Sequence, residues 1–269
     1  MPTSNRPLSS RWLTLLFLAF TLALCAAGLL LGGMTWASDG ISPHAKEASA
    51  LPEEGEADTT APIRCVVIDA GHGGEDGGTI SATGLCEKNV NLSIALYLRD
   101  ILEAAGVPTV MTRTEDILLY DRTIDYHGRK KVLDLAARLT IGEATKASLF
   151  VSIHQNAFPA TQYAGLQVWY GIADPRSKTI AAAMQEAGLL LDPENRRQIK
   201  PAGSNIYLLD RLKTPAVLVE CGFLSNPEEA ARLGDATYQR SLALLLASTI
   251  LPHIKPLEMA ALERLEEPT

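Results

Sequence analysis

Residues 63–69 read Ile63-Arg64-Cys65-Val66-Val67-Ile68-Asp69, and Ala70-Gly71-His72-Gly73-Gly74 follow directly. A β-branched run that ends in an acidic residue and a glycine-rich turn reads as a buried strand breaking off at the rim of a sheet. Outward from it, strand-like and helix-like stretches alternate. Residues 89–105 place Val90, Ile94, Tyr97, Leu98, Ile101 and Leu102 on one helical face, stopped by Gly106. Residues 107–112 read as a second strand. Val132, Leu135, Ala136 and Leu139 mark a second amphipathic helix, and residues 148–153 (SLFVSI) a third strand. Residues 166–170 are strand-like, 176–191 helical, and 216–219 form the last apolar run. A helix from Tyr238 then carries Leu242, Leu245, Leu246 and Ile250 inward and ends at Pro252. Strands spaced by helices of this length predict an α/β fold: a mostly parallel, twisted sheet with helices on both faces, as one domain over residues 63–255.

The rest of the 269-residue chain divides by composition. Residues 12–34 carry no charge and follow Arg6 and Arg11. As a helix they would span roughly 35 Å, enough to cross a bilayer, and the two arginines would keep the N-terminus inside. Residues 1–37 are therefore expected to be a signal-anchor or a cleaved signal peptide; both readings export the remainder. Residues 38–62 set Asp39, Glu47, Glu53, Glu54, Glu56 and Asp58 against Lys46 alone, which reads as an acidic flexible linker. Residues 256–269 read as a charged tail. A net charge of -7 argues against nucleic-acid binding, and 47% hydrophobic residues argue against a disordered chain. Cys25 lies in the apolar span; Cys65, Cys86 and Cys221 are odd in number, form no CxxC pair and read as buried small hydrophobes.

In such a sheet, ligands bind beyond the carboxyl ends of the strands. The first strand leads into His72, the third into His154-Gln155-Asn156, and the last into Glu220-Cys221-Gly222; Glu87 lies between the first strand and the first helix. Each has a plain alternative. His72 fits an exposed turn, His154 a hydrogen-bonded strand end, and Glu87 a carboxylate favoured by a helix N-terminus. Glu220 is harder to dismiss, since a carboxylate closing a buried strand is costly unless bound or paired. Together, two imidazoles and a carboxylate with an open position are the ligand set of a catalytic zinc, and a second carboxylate can move the proton of an activated water. Gly71-His72-Gly73-Gly74 does not continue into GxGxxG, because Asp76 stands where the third glycine belongs, and no GxSxG elbow is present. His44, His127 and His253 read as solvated side chains. Cys221, one step along extended backbone from Glu220, is expected to pack away from the site.

Four blocks carry a resemblance: Val67-Ile68-Asp69-Ala70-Gly71-His72-Gly73-Gly74, Glu87-Lys88-Asn89-Val90-Asn91-Leu92, Phe150-Val151-Ser152-Ile153-His154-Gln155-Asn156-Ala157, and Leu218-Val219-Glu220-Cys221-Gly222-Phe223-Leu224-Ser225-Asn226-Pro227. In order and spacing they resemble the zinc-dependent N-acetylmuramoyl-L-alanine amidases of the Amidase_3 family, over about residues 63–251. The resemblance implies hydrolysis of the amide between the muramoyl lactyl group and L-alanine in peptidoglycan. It implies one zinc ion per domain, with His72, Glu87 and His154 as ligands and Glu220 as the catalytic glutamate. The short form, without an inhibitory insertion, and the Asn205-Ile206-Tyr207-Leu208-Leu209 stretch are similar to the sporulation and germination branch. The expected partners are peptidoglycan, the membrane through the N-terminal segment, and an activating protein of unknown kind. The competing readings are another zinc hydrolase of the same polymer, a peptidase or deacetylase, and a catalytically silent wall-binding module.

Overall fold

The structure, a computed structural model, describes residues 65–254 except 122, 124 and 125. The expected N-terminal anchor, acidic linker and C-terminal tail lie outside the described residues. In chain order the elements are β1 (Val66–Ala70), α1 (Glu87–Ala104), β2 (Thr109–Met111), α2 (Lys130–Ala144), β3 (Leu149–Asn156), β4 (Gln167–Tyr170), α3 (Arg176–Ala187), β5 (Lys200–Pro201), α4 (Tyr207–Arg211), β6 (Ala216–Phe223), α5 (Pro227–Leu233) and α6 (Ala236–Ile250). The strands lie in the order β2-β1-β3-β6-β4-β5. β2, β1, β3 and β6 run parallel, whereas β4 runs antiparallel to β6. The α/β class and the mostly parallel sheet are as the periodicity implies; the reversed edge at β4 was not visible in it.

Alternation along the strands divides the apolar residues between two layers. Val66, Ile68 and Ala70 of β1 join Val217, Val219 and Cys221 of β6 in a core capped by α1, α3 and α6, through Ile94, Leu98, Met184, Leu242 and Leu246. Val67 and Phe150 point to the other face, against Leu208, Leu209 and Leu212 and the inner side of α2. Both faces of the parallel strands are thus covered, which explains why β1 and β3 read as continuous apolar runs rather than alternating ones.

Three boundaries differ from the expectation in ways that bear on function. β3 and β6 each extend beyond their apolar stretch, so His154 and Glu220 sit within paired strand rather than after it, opposite one another in the register. α1 begins at Glu87, two residues earlier than the apolar stripe suggests. α5 was missed although its start is legible: the Asn226 side chain accepts hydrogen bonds from the Glu228 and Glu229 amides, with proline at the first turn.

Leu98, fully buried between α1 and the sheet, tests this packing. Leu98→Ala is expected to lower unfolding stability by about 3 kcal/mol, measured as a shifted urea midpoint with an unchanged slope. A change under about 0.5 kcal/mol would contradict a tightly packed α1–sheet layer.

Candidate metal centre

Strand alternation places Asp69 and Gly71 of the first segment, Ser152 and His154 of β3, and Leu218 and Glu220 of β6 on the same side of the sheet. Together with Asn205, Ile206 and Tyr207 ahead of β6, and Lys131 on α2, they line a cavity of about 250 Å³ at the carboxyl ends of the parallel strands. Glu87, the first residue of α1, meets two imidazoles there. Its Oε1 lies 3.2 Å from His72 Nε2 and 3.0 Å from His154 Nδ1. One donor atom from each of the three residues falls within 4.8 Å of the others, and the two rings meet edge to face, 4.9 Å between centroids.

Glu87 and His72 are held from outside the cluster. Glu87 Oε2 accepts from the Thr79 amide at 2.8 Å, and Oε1 accepts from the Gln155 amide at 3.1 Å. The position at the start of α1 adds the favourable field of the helix N-terminus, so the helix-terminal reading of Glu87 and the metal-ligand reading describe one side chain. His72 Nδ1 lies 2.9 Å from Asp76 Oδ2, the kind of outer carboxylate that fixes a ligating ring. The backbone leaves no slack: a Cβ at Gly71 would stand 2.2 Å from His154 Nε2, and one at Gly78 would stand 2.6 Å from Glu87 Oε2. These glycines are required by the close approach of chain and side chain.

His72 itself has φ +61°, a left-handed conformation that a non-glycine residue adopts at a cost. Two buried arginines pin it. Arg138, 1% exposed, donates to the carbonyls of Ala70 and His72, each at 2.7 Å, and to Asp69 and Asp134 at 2.6 and 2.8 Å. Arg113 donates to the carbonyls of Ala70, Gly71 and Lys88. Asp69 accepts further from Thr112 and Ser152. None of Asp76, Arg113 and Arg138 was singled out from sequence. Arg138 offered one signal, a charge on the inward stripe of an amphipathic helix, four residues after Asp134.

The electrostatics are polarised. Burial alone would raise the Glu87 carboxyl, but hydrogen bonds from His154 and His72 hold it far below the ordinary range. For His72, burial opposes the cation, and Glu87 and then Asp76 outweigh it and raise the imidazole. Glu220 faces the opposite balance. Burial pushes its carboxyl up to about 7, with His154 pulling it down and Glu87 pushing it further up. Its Oε2 is sealed from solvent and has no hydrogen-bond partner. The two imidazoles and the Glu87 carboxylate are a donor set that fits a divalent cation, and the sealed, unpartnered Glu220 oxygen lies beside them on the same wall. Cys221 is buried, packed with the β6 core on the opposite face from Glu220, and burial raises its thiol; Cys86 is partly exposed, and Cys65, Cys86 and Cys221 are all free thiols. His127 and His253 are exposed.

The fold and this rim define an α/β hydrolytic domain with a two-histidine, one-carboxylate cluster able to hold a metal ion. Residues 66–251 match the profile of the N-acetylmuramoyl-L-alanine amidase family Amidase_3, and the chain belongs to that family. It is 35% identical over 188 residues to the germination-specific N-acetylmuramoyl-L-alanine amidase of Bacillus subtilis, covering 70% of this chain and 78% of that one. Among solved structures it is similar to the CwlD amidase of Clostridioides difficile in complex with the GerS lipoprotein, with TM-score 0.67, 36% identity, and 71% and 98% of the two chains covered. The catalytic domain of the amidase CwlV from Bacillus (Paenibacillus) polymyxa var. colistinus aligns with TM-score 0.60 and 31% identity, over 72% of this chain and all of that one.

Two measurements test the site's physics. Arg138→Met leaves Asp69 and Asp134 buried without their counter-ion and is expected to cost about 3–5 kcal/mol by denaturant midpoint; a loss below about 1 kcal/mol would show that the pair is not holding the rim. For Glu220 the sign follows from linkage. The unfolded chain loses this proton near 4.5 and the metal-free fold near 7, so the folded state binds more protons and loses stability as pH rises between them. Metal-free Glu220→Gln is therefore expected to gain about 2 kcal/mol on the wild type between about pH 4 and pH 8. Parallel stability profiles for the two proteins would contradict the burial of this carboxylate.

Proposed function

We propose that this amidase is zinc-dependent and hydrolyses the amide between the muramoyl lactyl group and L-alanine of peptidoglycan, in the branch that matures spore cortex. The observation that carries the reading is the convergence of His72, Glu87 and His154 within 4.8 Å, with Glu220 on the same cavity wall. His72, Glu87 and His154 would hold the ion, and zinc in such a site supplies Lewis acidity toward a carbonyl oxygen and toward water. Glu220 would take the proton of the attacking water and deliver it to the departing alanine nitrogen, from its place on the cavity wall beside the three ligands. Asp76 would keep the His72 ring oriented, and the Thr79 and Gln155 amides would keep Glu87 ionised and fixed. The germination-specific relative in Bacillus subtilis supports the cortex assignment.

Residues 12–34 would anchor the enzyme to the membrane with the domain outside, on the tether of residues 38–62. Among the described residues no helix is long and apolar enough to cross a membrane, so this anchor rests on the uncharged N-terminal stretch alone. The relative solved with a lipoprotein supports a protein partner at the same membrane surface.

Fragment identity decides the activity. The zinc-loaded protein is expected to release peptides with free L-alanine N-termini from purified peptidoglycan and to leave glycan chains intact, read by mass spectrometry. Cleavage between peptide residues, or loss of acetyl groups, would assign it to another class of wall hydrolase. Glu220→Gln is expected to keep one zinc per chain and lose about a thousandfold in turnover, whereas His72→Ala and His154→Ala are expected to lose the metal as well. Wild-type turnover by Glu220→Gln would refute its role.

A further inference from the structure

The line of side chains that carries His154 and Glu220 continues one strand further. In the register, His154 stands opposite Glu220, and Glu220 stands opposite Gln167 of β4. Directly opposed residues point to the same side of a sheet, and neighbouring strands are about 4.8 Å apart. Gln167 therefore extends the same row, about 10 Å from His154 across the sheet. Gln167 Oε1 accepts from Arg197 Nη1 at 3.0 Å, while its Nε2 donates to the Gln198 carbonyl. Arg197 Nε donates to the Ala164 carbonyl at 2.7 Å, and its guanidinium lies 4.2 Å from the centre of the Phe223 ring and 5.9 Å from that of Tyr163. It borders an open cleft of about 770 Å³, shared with Tyr163 and Ala164.

This cation is placed rather than neutralised. Both of its acceptors are uncharged, a carbonyl and a carboxamide, and they engage two of the five N–H donors of a guanidinium. The carboxylates that act on it, Glu229 and Glu220, do so through space, and Glu229 is committed to the amides of Gly165 and Phe223. A guanidinium fixed by a planar amide and an aromatic face, open to solvent, matches the fork geometry of a carboxylate ligand.

We propose that Arg197 is a specificity residue that binds a carboxylate of the stem peptide, one or two residues beyond the alanine at the cleaved bond. This rests on the amidase reading above. The lactyl carboxyl of muramic acid is consumed in the amide that is cut, so an anion near the site belongs to the peptide side. An extended peptide advances about 3.4 Å per residue, and two residues reach from the reacting amide toward the end of the Gln167 row.

The test uses the zinc-loaded full chain and two synthetic N-acetylmuramoyl peptides that extend two residues past L-alanine. They are identical except that the peptide carboxylates of one are carboxamides in the other. The wild type is expected to favour the carboxylate peptide by about tenfold in kcat/KM, the scale of a charge-assisted contact. Arg197→Gln is expected to erase that preference, mostly by raising KM for the carboxylate peptide, and Arg197→Lys to restore part of it. An equal loss on both peptides would make Arg197 a staple between loops and overturn the proposal. So would a wild type that does not distinguish the peptides. Cleavage of neither peptide by the wild type would instead overturn the amidase reading, and the proposal with it.

Discussion

Arg138 is a fully charged side chain sunk into the protein, and the functional rim depends on what it holds. Desolvating a guanidinium and two carboxylates is expensive and is matched only when the donors and acceptors are satisfied. Here the guanidinium reaches Asp69, Asp134 and the carbonyls of Ala70 and His72. The end of β1, the inner side of α2 and the turn after β1 are thereby locked into one unit. The turn carries His72 in a left-handed conformation, which persists because the surrounding bonds over-determine it.

On that frame Glu87 sets the electrostatics. One carboxylate oxygen faces both imidazoles and the other is tied to the backbone. It therefore stays ionised in a buried place and draws the two rings to the same point. Glu220, in register with His154 but without any polar partner for Oε2, is driven the other way, toward neutrality. Without the metal, Glu87 at the start of α1 and Glu220 on β6 thus have opposite proton affinities, the pattern expected where one holds charge and the other moves protons.

Much of this was legible in the chain. The apolar runs at β1, β3 and β6, the stripes of α1 and α6, the three polar residues at the ends of those strands, and Glu87 ahead of α1 could all be read from spacing and residue type. The outer layer was not. The reversal of β4 depends on a pairing with β6 that no local pattern encodes, and β5 is only two residues long. α5 escaped because it is short, despite its Asn226 cap. Among the partners of the site, Arg113 and Arg138 are distant in sequence from most of what they touch, while Asp76 lies four residues from His72; none of the three carries a motif. Buried charge on α2 has meaning only once the carbonyls it answers are in place.

In the proposed site His72, Glu87 and His154 grip one divalent cation, and the thiols of Cys86 and Cys221 do not. Zinc K-edge X-ray absorption on the metal-loaded protein tests this directly. The proposed site gives a single zinc with nitrogen and oxygen neighbours at about 2.0–2.1 Å, two of them imidazoles. A sulfur shell near about 2.3 Å, or zinc that fails to saturate at one ion per chain, would contradict it.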